Sequence, residues 1–126
     1  MTKHNILLGR SGEDLAVEFL KKSGYKILAR NYRNYTGEID IIARDKEIIV
    51  FAEVKTRTSD KCGFPAEAVG SFKQRQISRT AVIYLKENNL LHKSARFDII
   101  SVLCLPQNEK IDLIKNAFEL DNKFLY

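Results

Sequence analysis

The chain of 126 residues has few of the residues that build cross-linked or zinc-stabilised folds. It contains only two cysteines, Cys62 and Cys104, and they do not form a Cys-x-x-Cys motif. A disulfide framework or a structural zinc site is therefore not expected. The two histidines, His4 and His92, also have no partners at the spacing of metal ligands. These absences favour a protein of the reducing cytoplasm.

Long apolar runs and phosphate-binding glycine loops are absent as well. No stretch approaches the roughly 20 apolar residues that a membrane-spanning helix needs, so we expect no membrane partner. Residues 1–10 hold an apolar run of three residues, whereas the core of a signal peptide needs about 7 to 15. The segment 9–12 has neither the length nor the lysine of a P-loop, which argues against a nucleoside triphosphatase.

The composition is that of one ordinary folded domain. The hydrophobic fraction is 44% and the charged fraction is 29%, values typical of globular proteins. The length allows a single domain with its own core. We assign residues 1–118 to this domain and treat residues 119–126 as a C-terminal tail.

Positive charge is concentrated in the middle of the chain, although the net charge is only +5. Residues 54–96 contain nine Lys or Arg and three Asp or Glu, whereas residues 97–126 contain three and five. A basic segment of this kind suits a polyanionic partner. Charge alone, however, is better explained by a solvent-exposed helix face.

Hydrophobic periodicity predicts a mixed sheet with helices packed on it. The first helix covers 5–23 or begins near Ser11, and the second, over 71–89, has Ser71 as its cap and Phe72 in its apolar stripe. The other predicted elements are strands over 26–33, 96–103 and 110–118, and a loop over 56–70. The helix between the third and fourth strands predicts a right-handed parallel crossover.

The segment 37–55 carries most of the functional information. It contains two apolar, β-branched runs separated by a short polar turn near 45–46, which predicts a β-hairpin. Residues facing each other across this hairpin have numbers that add to about 91 to 93. Glu53 is therefore expected opposite the stretch from Glu38 to Asp40.

A cluster of charge on two apolar strands is costly unless the charges pair or bind a metal. Asp40 and Glu53 would hold Mg²⁺ through carboxylate oxygens. Lys55 would orient or deprotonate a water molecule that attacks a phosphate at the metal. Glu13 would supply a third carboxylate if the first helix packs over the hairpin. The alternative is a structural ion pair of the carboxylates with Lys55 or Arg57, and spacing alone does not separate the two.

Basic residues after the hairpin are candidates for binding phosphate. Arg57 follows the second strand directly, and Lys73 is favoured over Arg75 at the start of the second helix, where both would otherwise be solvated. Glu38 is interpreted as a neighbour that tunes the site. For Glu13, the alternative to a role at the metal is a favourable interaction of its carboxylate with the helix dipole.

Four other residues have mainly structural interpretations. Arg96 and Asp98 are expected to form an ion pair on the fourth strand. Tyr32 and Tyr35 flank a turn, where aromatic rings are able to stack on nucleobases but more often belong to a partial core.

The order Asp40, spacer, Glu53-Val54-Lys55 resembles the signature of the PD-(D/E)XK nuclease superfamily, which has the restriction-endonuclease-like fold. Its core runs helix, three-strand meander, helix, strand, in agreement with the predicted order. Ile39 stands where a proline often precedes the aspartate.

A closer resemblance is to the YraN-like bacterial proteins, which are similar to archaeal-type Holliday junction resolvases. The matching segments are the ranges 9–13, 37–43, 51–57, 96–98 and 116–118, together with Lys73. This resemblance implies cleavage of DNA phosphodiesters, on branched or structured DNA, with Mg²⁺ or with Mn²⁺ as a substitute. It assigns Asp40, Glu53 and Glu13 to the metal and Lys55 to catalysis.

Two other functions remain open from the sequence. One is a non-catalytic DNA-binding or scaffold module that keeps the fold, and the other is a metal-dependent enzyme acting on another phosphate ester. Resolution of a four-way junction would in addition require a two-fold homodimer.

Overall fold

The computed structural model describes residues 12–57 and 70–118, which form a five-stranded sheet with a helix on each face. In chain order the elements are α1 (Gly12–Lys22), β1 (Lys26–Asn34), β2 (Gly37–Asp45), β3 (Ile48–Arg57), α2 (Ser71–Glu87), β4 (Ser94–Cys104) and β5 (Glu109–Phe118).

The strands lie in the order β1-β2-β3-β4-β5. β1, β2 and β3 form an antiparallel meander, β4 pairs parallel with β3, and β5 pairs antiparallel with β4. A helix between two parallel strands is the expected crossover. The predicted fold class, a restriction-endonuclease-like α/β arrangement, is therefore confirmed.

Most predicted element boundaries agree with the structure within two residues. The part of the first helix before Gly12, most of the loop over 56–70 and the tail over 119–126 lie outside the described residues. None of the helices in the described ranges is long and apolar enough to cross a membrane.

Two predictions at the start of α2 are wrong. The N-cap residue is Gly70, not Ser71, and no side chain caps the helix. Phe72 does not join the apolar stripe, because its side chain is 69% exposed. The buried residues of α2 begin only at Ile77, so the first turn of the helix extends beyond the core.

The core consists of two hydrophobic clusters, each between one helix and one face of the sheet. Buried residues of the cluster under α1 include Leu20, Ile41, Val50, Ile100 and Val102. Those of the cluster under α2 include Ile42, Phe51, Ile77, Leu85 and Phe97. Because both faces of β2 and β3 are covered, these strands have continuous apolar runs rather than alternating patterns.

The hairpin between β2 and β3 has the predicted register. Ile41 faces Ala52 and Asp45 faces Ile48, so the turn consists of Lys46 and the residue after it. Lys46 has a φ of 56°, a left-handed conformation that is common in tight hairpin turns. Extending this register by one pair places Asp40 beside Glu53.

A buried polar cluster connects β4 to its surroundings. The Arg96 guanidinium donates to Asp98 from Nε at 2.9 Å and from Nη2 at 3.0 Å, and its Nη2 also donates to the Tyr25 hydroxyl at 2.7 Å. Asp98 Oδ1 accepts in addition from the backbone N–H of Asn116 at 3.1 Å. The expected structural pair is present, and it holds the irregular part of β5 against β4.

We expect Asp98→Ala to lower the free energy of unfolding by about 3 to 5 kcal/mol, because the buried Arg96 loses its closest carboxylate and keeps only Asp45, at 3.3 Å. Urea unfolding followed by circular dichroism measures this change. The matched control is Glu18→Ala, which breaks an exposed pair with Lys22 on α1 and is expected to cost less than about 0.5 kcal/mol. Similar losses for both variants would contradict the role assigned to the cluster.

Candidate active site

Two carboxylates lie side by side where β2 and β3 pair. Asp40 is half-buried, and the Glu53 side chain is 11% exposed. Asp40 Oδ2 accepts a hydrogen bond from the backbone N–H of Val54 at 2.8 Å. This bond fixes the direction of the Asp40 carboxylate, because its donor belongs to the rigid backbone of the neighbouring strand.

The two carboxylates repel each other. Burial and the charge of Glu53 raise the pKa of Asp40 to about 6, although the hydrogen bond from Val54 acts in the opposite direction and Glu13 adds to the rise. Holding both groups ionised therefore costs free energy, as in other sites where carboxylates share a small space. A bound cation would remove this cost.

Two lysines lie near Glu53, and the nearer one is not the one expected from the motif. Lys73 Nζ lies 2.7 Å from Glu53 Oε1, whereas Lys55 Nζ lies 3.8 Å from the same oxygen. Burial disfavours the Lys73 ammonium, but its hydrogen bond to Glu53 and the charges of Glu53 and Asp40 outweigh this, so the pKa of Lys73 is raised. Of the two lysines, Lys73 therefore has the stronger electrostatic interaction with the Glu53 carboxylate.

Glu13 approaches the site from the first turn of α1. Its carboxylate lies 3.4 Å from the Arg30 guanidinium, which binds Asp14 more closely at 2.7 Å. The start of α1 packs directly on β3, since a Cβ built on Gly12 would lie 2.3 Å from Thr56 Oγ1. The first helix thus brings Glu13 close enough to influence Asp40.

The remaining predicted residues lie around the carboxylate pair. Arg57 is half-buried at the end of β3, and Arg75 is exposed on α2. Glu38 does not join the pair, because its carboxylate binds the Arg33 guanidinium at 2.7 Å. No contact in the structure tests the phosphate-binding roles predicted for Arg57, Lys73 and Arg75.

A cleft of about 560 Å³ opens beside the carboxylates. Its wall combines the end of β1, the β1–β2 turn, the start of β2, one residue of β3 and the first two turns of α2. The lining residues are Arg33, Asn34, Tyr35, Thr36, Gly37, Glu38, Asp40, Glu53, Lys73 and Gln76. Arg33, Asn34, Thr36 and Gln76 of this wall were not predicted from the sequence.

The donor set fits a metal that retains water and binds substrate. Within residues 12–57 and 70–118, no group of three or more His, Cys, Asp or Glu side chains is placed to hold a metal ion. Mg²⁺ is usually bound by only one or two carboxylates, with water and phosphate oxygens completing its coordination. Asp40 and Glu53 meet this requirement, whereas Glu13 does not complete a three-ligand group and its role as a ligand stays a prediction.

Comparison with known proteins identifies the family. A model described as "Uncharacterised protein family UPF0102" matches residues 12–102. The chain belongs to the UPF0102 family. A "UPF0102 protein" of Geobacter metallireducens is 54% identical over 95% of this chain and 98% of its own length. Another, of Syntrophus aciditrophicus, is 50% identical over 92% of this chain and 91% of its own length.

Two solved structures are distantly similar. One, titled "Crystal structure of SSO0001", is 20% identical, with a TM-score of 0.40 over 98% of this chain and 56% of that chain. The other, Pyrococcus furiosus SfsA in complex with Ca²⁺, is 14% identical, with a TM-score of 0.40 over 91% of this chain and 65% of that chain. Likenesses this weak assign neither fold nor function, and the fold is assigned from the order and register of the strands.

We expect Gly12→Ala to destabilise the protein by about 1 to 3 kcal/mol, because the added methyl overlaps Thr56 and pushes α1 away from β3. Thermal unfolding measures the loss. Gly70→Ala is the matched control, since a Cβ there meets no atom within 4 Å. Equal stability of the Gly12 variant and the wild type would show that α1 does not need this close approach.

A further prediction follows from the raised pKa of Asp40. The folded protein binds a proton at Asp40 up to about pH 6, whereas the usual pKa is 3.8. The contribution of Asp40 to the free energy of unfolding of the metal-free wild type is therefore expected to fall as pH rises from about 4 to about 6 and to stay low above that range. Asp40→Asn removes the buried charge, so it is expected to stabilise the metal-free protein at about pH 8 by about 1 to 3 kcal/mol.

Urea unfolding in EDTA across this pH range measures the difference between the Asn variant and the wild type. The difference is expected to shrink as pH falls through 6. Asp112→Asn, at an exposed position of β5, controls for the loss of a surface charge. A variant at position 40 that is less stable than wild type at high pH would contradict the proposed repulsion.

Proposed function

We propose that the protein is a metal-dependent endonuclease that hydrolyses DNA phosphodiester bonds, with branched or structured DNA as its substrate. The observation that carries this proposal is that Asp40 of β2 and Glu53 of β3 line one open cleft close enough for their charges to interact, with two lysines beside Glu53. Paired carboxylates with adjacent amines suit phosphoryl chemistry, in which negative charge must be both bound and stabilised.

Asp40 and Glu53 would hold Mg²⁺, or Mn²⁺ in its place. A divalent ion at this position would polarise a phosphoryl oxygen and lower the pKa of bound water. The protein's own contribution is geometry. The Val54 N–H holds Asp40 at 2.8 Å, and the paired strands set the separation of the two carboxylates before any ligand arrives.

The two lysines would have different roles. Lys55 lies on the same strand as Glu53, and its ammonium, 3.8 Å from that carboxylate, would orient the attacking water. Lys73 holds Glu53 at 2.7 Å. When Glu53 ligates a cation, Lys73 would exchange this carboxylate for a substrate phosphate, since an ammonium is repelled by the cation and attracted by the phosphate.

The surrounding charges support a polyanionic substrate. Residues 54–96 have nine basic and three acidic side chains, and electrostatic attraction of this kind steers nucleic acids toward a protein. Arg57 and Arg75 would add phosphate contacts, and Glu13 would assist at the metal or its water. Cleavage of both strands of a junction would need a homodimer with two such sites. The enzyme would act in the cytoplasm.

The test is cleavage of a labelled DNA panel that includes duplex, single strand, flap and four-way junction, in Mg²⁺ and in Mn²⁺. Wild type is expected to cut at least one of these, and EDTA is expected to stop the reaction. Asp40→Ala, Glu53→Ala and Lys55→Ala are each expected to lower the rate about 100- to 10,000-fold, the range for removal of one catalytic or charge-stabilising group.

Asp112→Ala is the matched control, because it removes an exposed carboxylate on β5 and should leave cleavage unchanged. Full activity in the Asp40 or Glu53 variant would overturn the proposed site. If wild type binds the panel with steep salt dependence but cuts nothing in either metal, the protein is a DNA-binding module that retains the nuclease fold.

A further inference from the structure

The two tyrosines near the β1–β2 turn have different environments. The Tyr32 ring packs edge-on against Tyr84 of α2, with centroids 5.1 Å apart, and its hydroxyl donates to Glu87 at 3.0 Å. Tyr35, at the tip of the turn, is 90% exposed. The expectation of a partial core role therefore holds for Tyr32 and is wrong for Tyr35, whose ring is not used in packing.

The turn that presents Tyr35 is internally bonded. The Asn34 side-chain oxygen accepts from the Thr36 backbone N–H at 2.9 Å and from the Thr36 hydroxyl at 2.6 Å. Its amide nitrogen donates to the Tyr32 hydroxyl at 3.0 Å and to the Thr80 carbonyl at 3.3 Å. A single asparagine thus connects both sides of the turn and attaches it to α2.

A second set of contacts holds the turn against α2. The hydroxyls of Thr36 and Thr80 lie 2.7 Å apart, and Thr80 Oγ1 is also 2.9 Å from the Gln76 carbonyl. A Cβ built on Gly37 would lie 3.0 Å from both Gln76 Cγ and Thr80 Oγ1. The backbone at Gly37 is packed tightly against α2, so the neighbouring helix holds the turn that carries Tyr35.

The exposed ring also lies on the wall of the cleft that contains the carboxylate pair. Tyr35, Asp40, Glu53 and Lys73 all line this cleft, together with Arg33, whose side chain is 73% exposed. An exposed aromatic residue is ordinary by itself. An exposed ring on a bonded turn beside a polar, charged cleft is suited to stacking, because the backbone that carries it is already held and only two side-chain torsions remain to be ordered on binding.

We infer that the turn Asn34–Gly37 is a substrate-recognition element, in which Tyr35 stacks on an unpaired nucleobase next to the phosphate that Lys73 and a cation held by Asp40 and Glu53 would bind. This inference rests on the proposed nuclease function. Every nucleobase has a π-face, so stacking tolerates any sequence. In a continuous duplex both faces of each base are covered by its neighbours, and a ring approaching from the cleft wall reaches only a base at a flap, a junction or a strand end.

The test is a double-mutant cycle between protein and DNA, read as binding by fluorescence anisotropy. The protein is wild type or Tyr35→Ala, and the probe is a DNA flap that has either normal nucleotides or abasic sites at its unpaired positions. Binding is measured in EDTA and again in Ca²⁺, so that the result does not depend on turnover. Tyr35→Phe is the matched variant, since it keeps the ring and removes only the hydroxyl.

With the normal flap, Tyr35→Ala is expected to weaken binding about 5- to 100-fold, the range for loss of one base–aromatic stack, whereas Tyr35→Phe should bind like wild type. With the abasic flap, wild type and Tyr35→Ala should bind equally, because the partner of the ring is already missing. Unchanged thermal unfolding of both variants verifies that the turn is intact.

The remaining outcomes separate this inference from the proposed function. If Tyr35→Ala weakens binding to normal and abasic flaps by the same factor, or to neither, the stacking role is overturned while nuclease activity stands on its own test. If wild type binds no member of the panel in either buffer, the proposed function fails and the inference fails with it.

Discussion

The repulsion between Asp40 and Glu53 is the constraint on which the site depends. The register of the hairpin places the two residues on neighbouring strands, and the Val54 N–H holds the Asp40 carboxylate in its direction. Burial and this repulsion raise the pKa of Asp40 to about 6, so the folded chain retains an unfavourable arrangement that a bound cation would relieve. Lys73 offsets part of this repulsion by binding Glu53 at 2.7 Å.

The free-energy cost of the carboxylate repulsion is offset by the rest of the sheet, which is covered on both faces. The apolar runs of β2 and β3 pack under α1 on one side and under α2 on the other, and burial of apolar surface is the dominant stabilising contribution in such a core. The polar cluster of Arg96 and Asp98 is fully bonded within the sheet. The net contribution of a buried ion pair to stability is small compared with apolar residues of the same volume, whereas removal of one partner is strongly destabilising.

The cleft is shared by elements that are distant in the chain. β2 and β3 supply the carboxylates, α2 supplies Lys73 and the anchor at Thr80, and the β1–β2 turn supplies Tyr35. The same helix therefore adjusts the charge of the carboxylate pair and supports the turn that presents the exposed ring. In the proposed function this arrangement would place a site for phosphate chemistry and a surface for a base on one nucleotide strand.

The sequence alone determined the elements and the approach of Asp40 to Glu53, because a hairpin with a short turn is a local structure whose register follows from residue alternation and turn length. The sequence alone did not determine which lysine ammonium lies closest to the Glu53 carboxylate. Lys55 is two residues away in the chain, but the closer partner, Lys73, comes from a helix that packs across the sheet. The attachment of Asn34 to Thr80 and the approach of Gly12 to Thr56 were likewise decided by tertiary packing. Periodicity shows which face of a helix is apolar, whereas its position along the sheet depends on contacts between residues far apart in sequence.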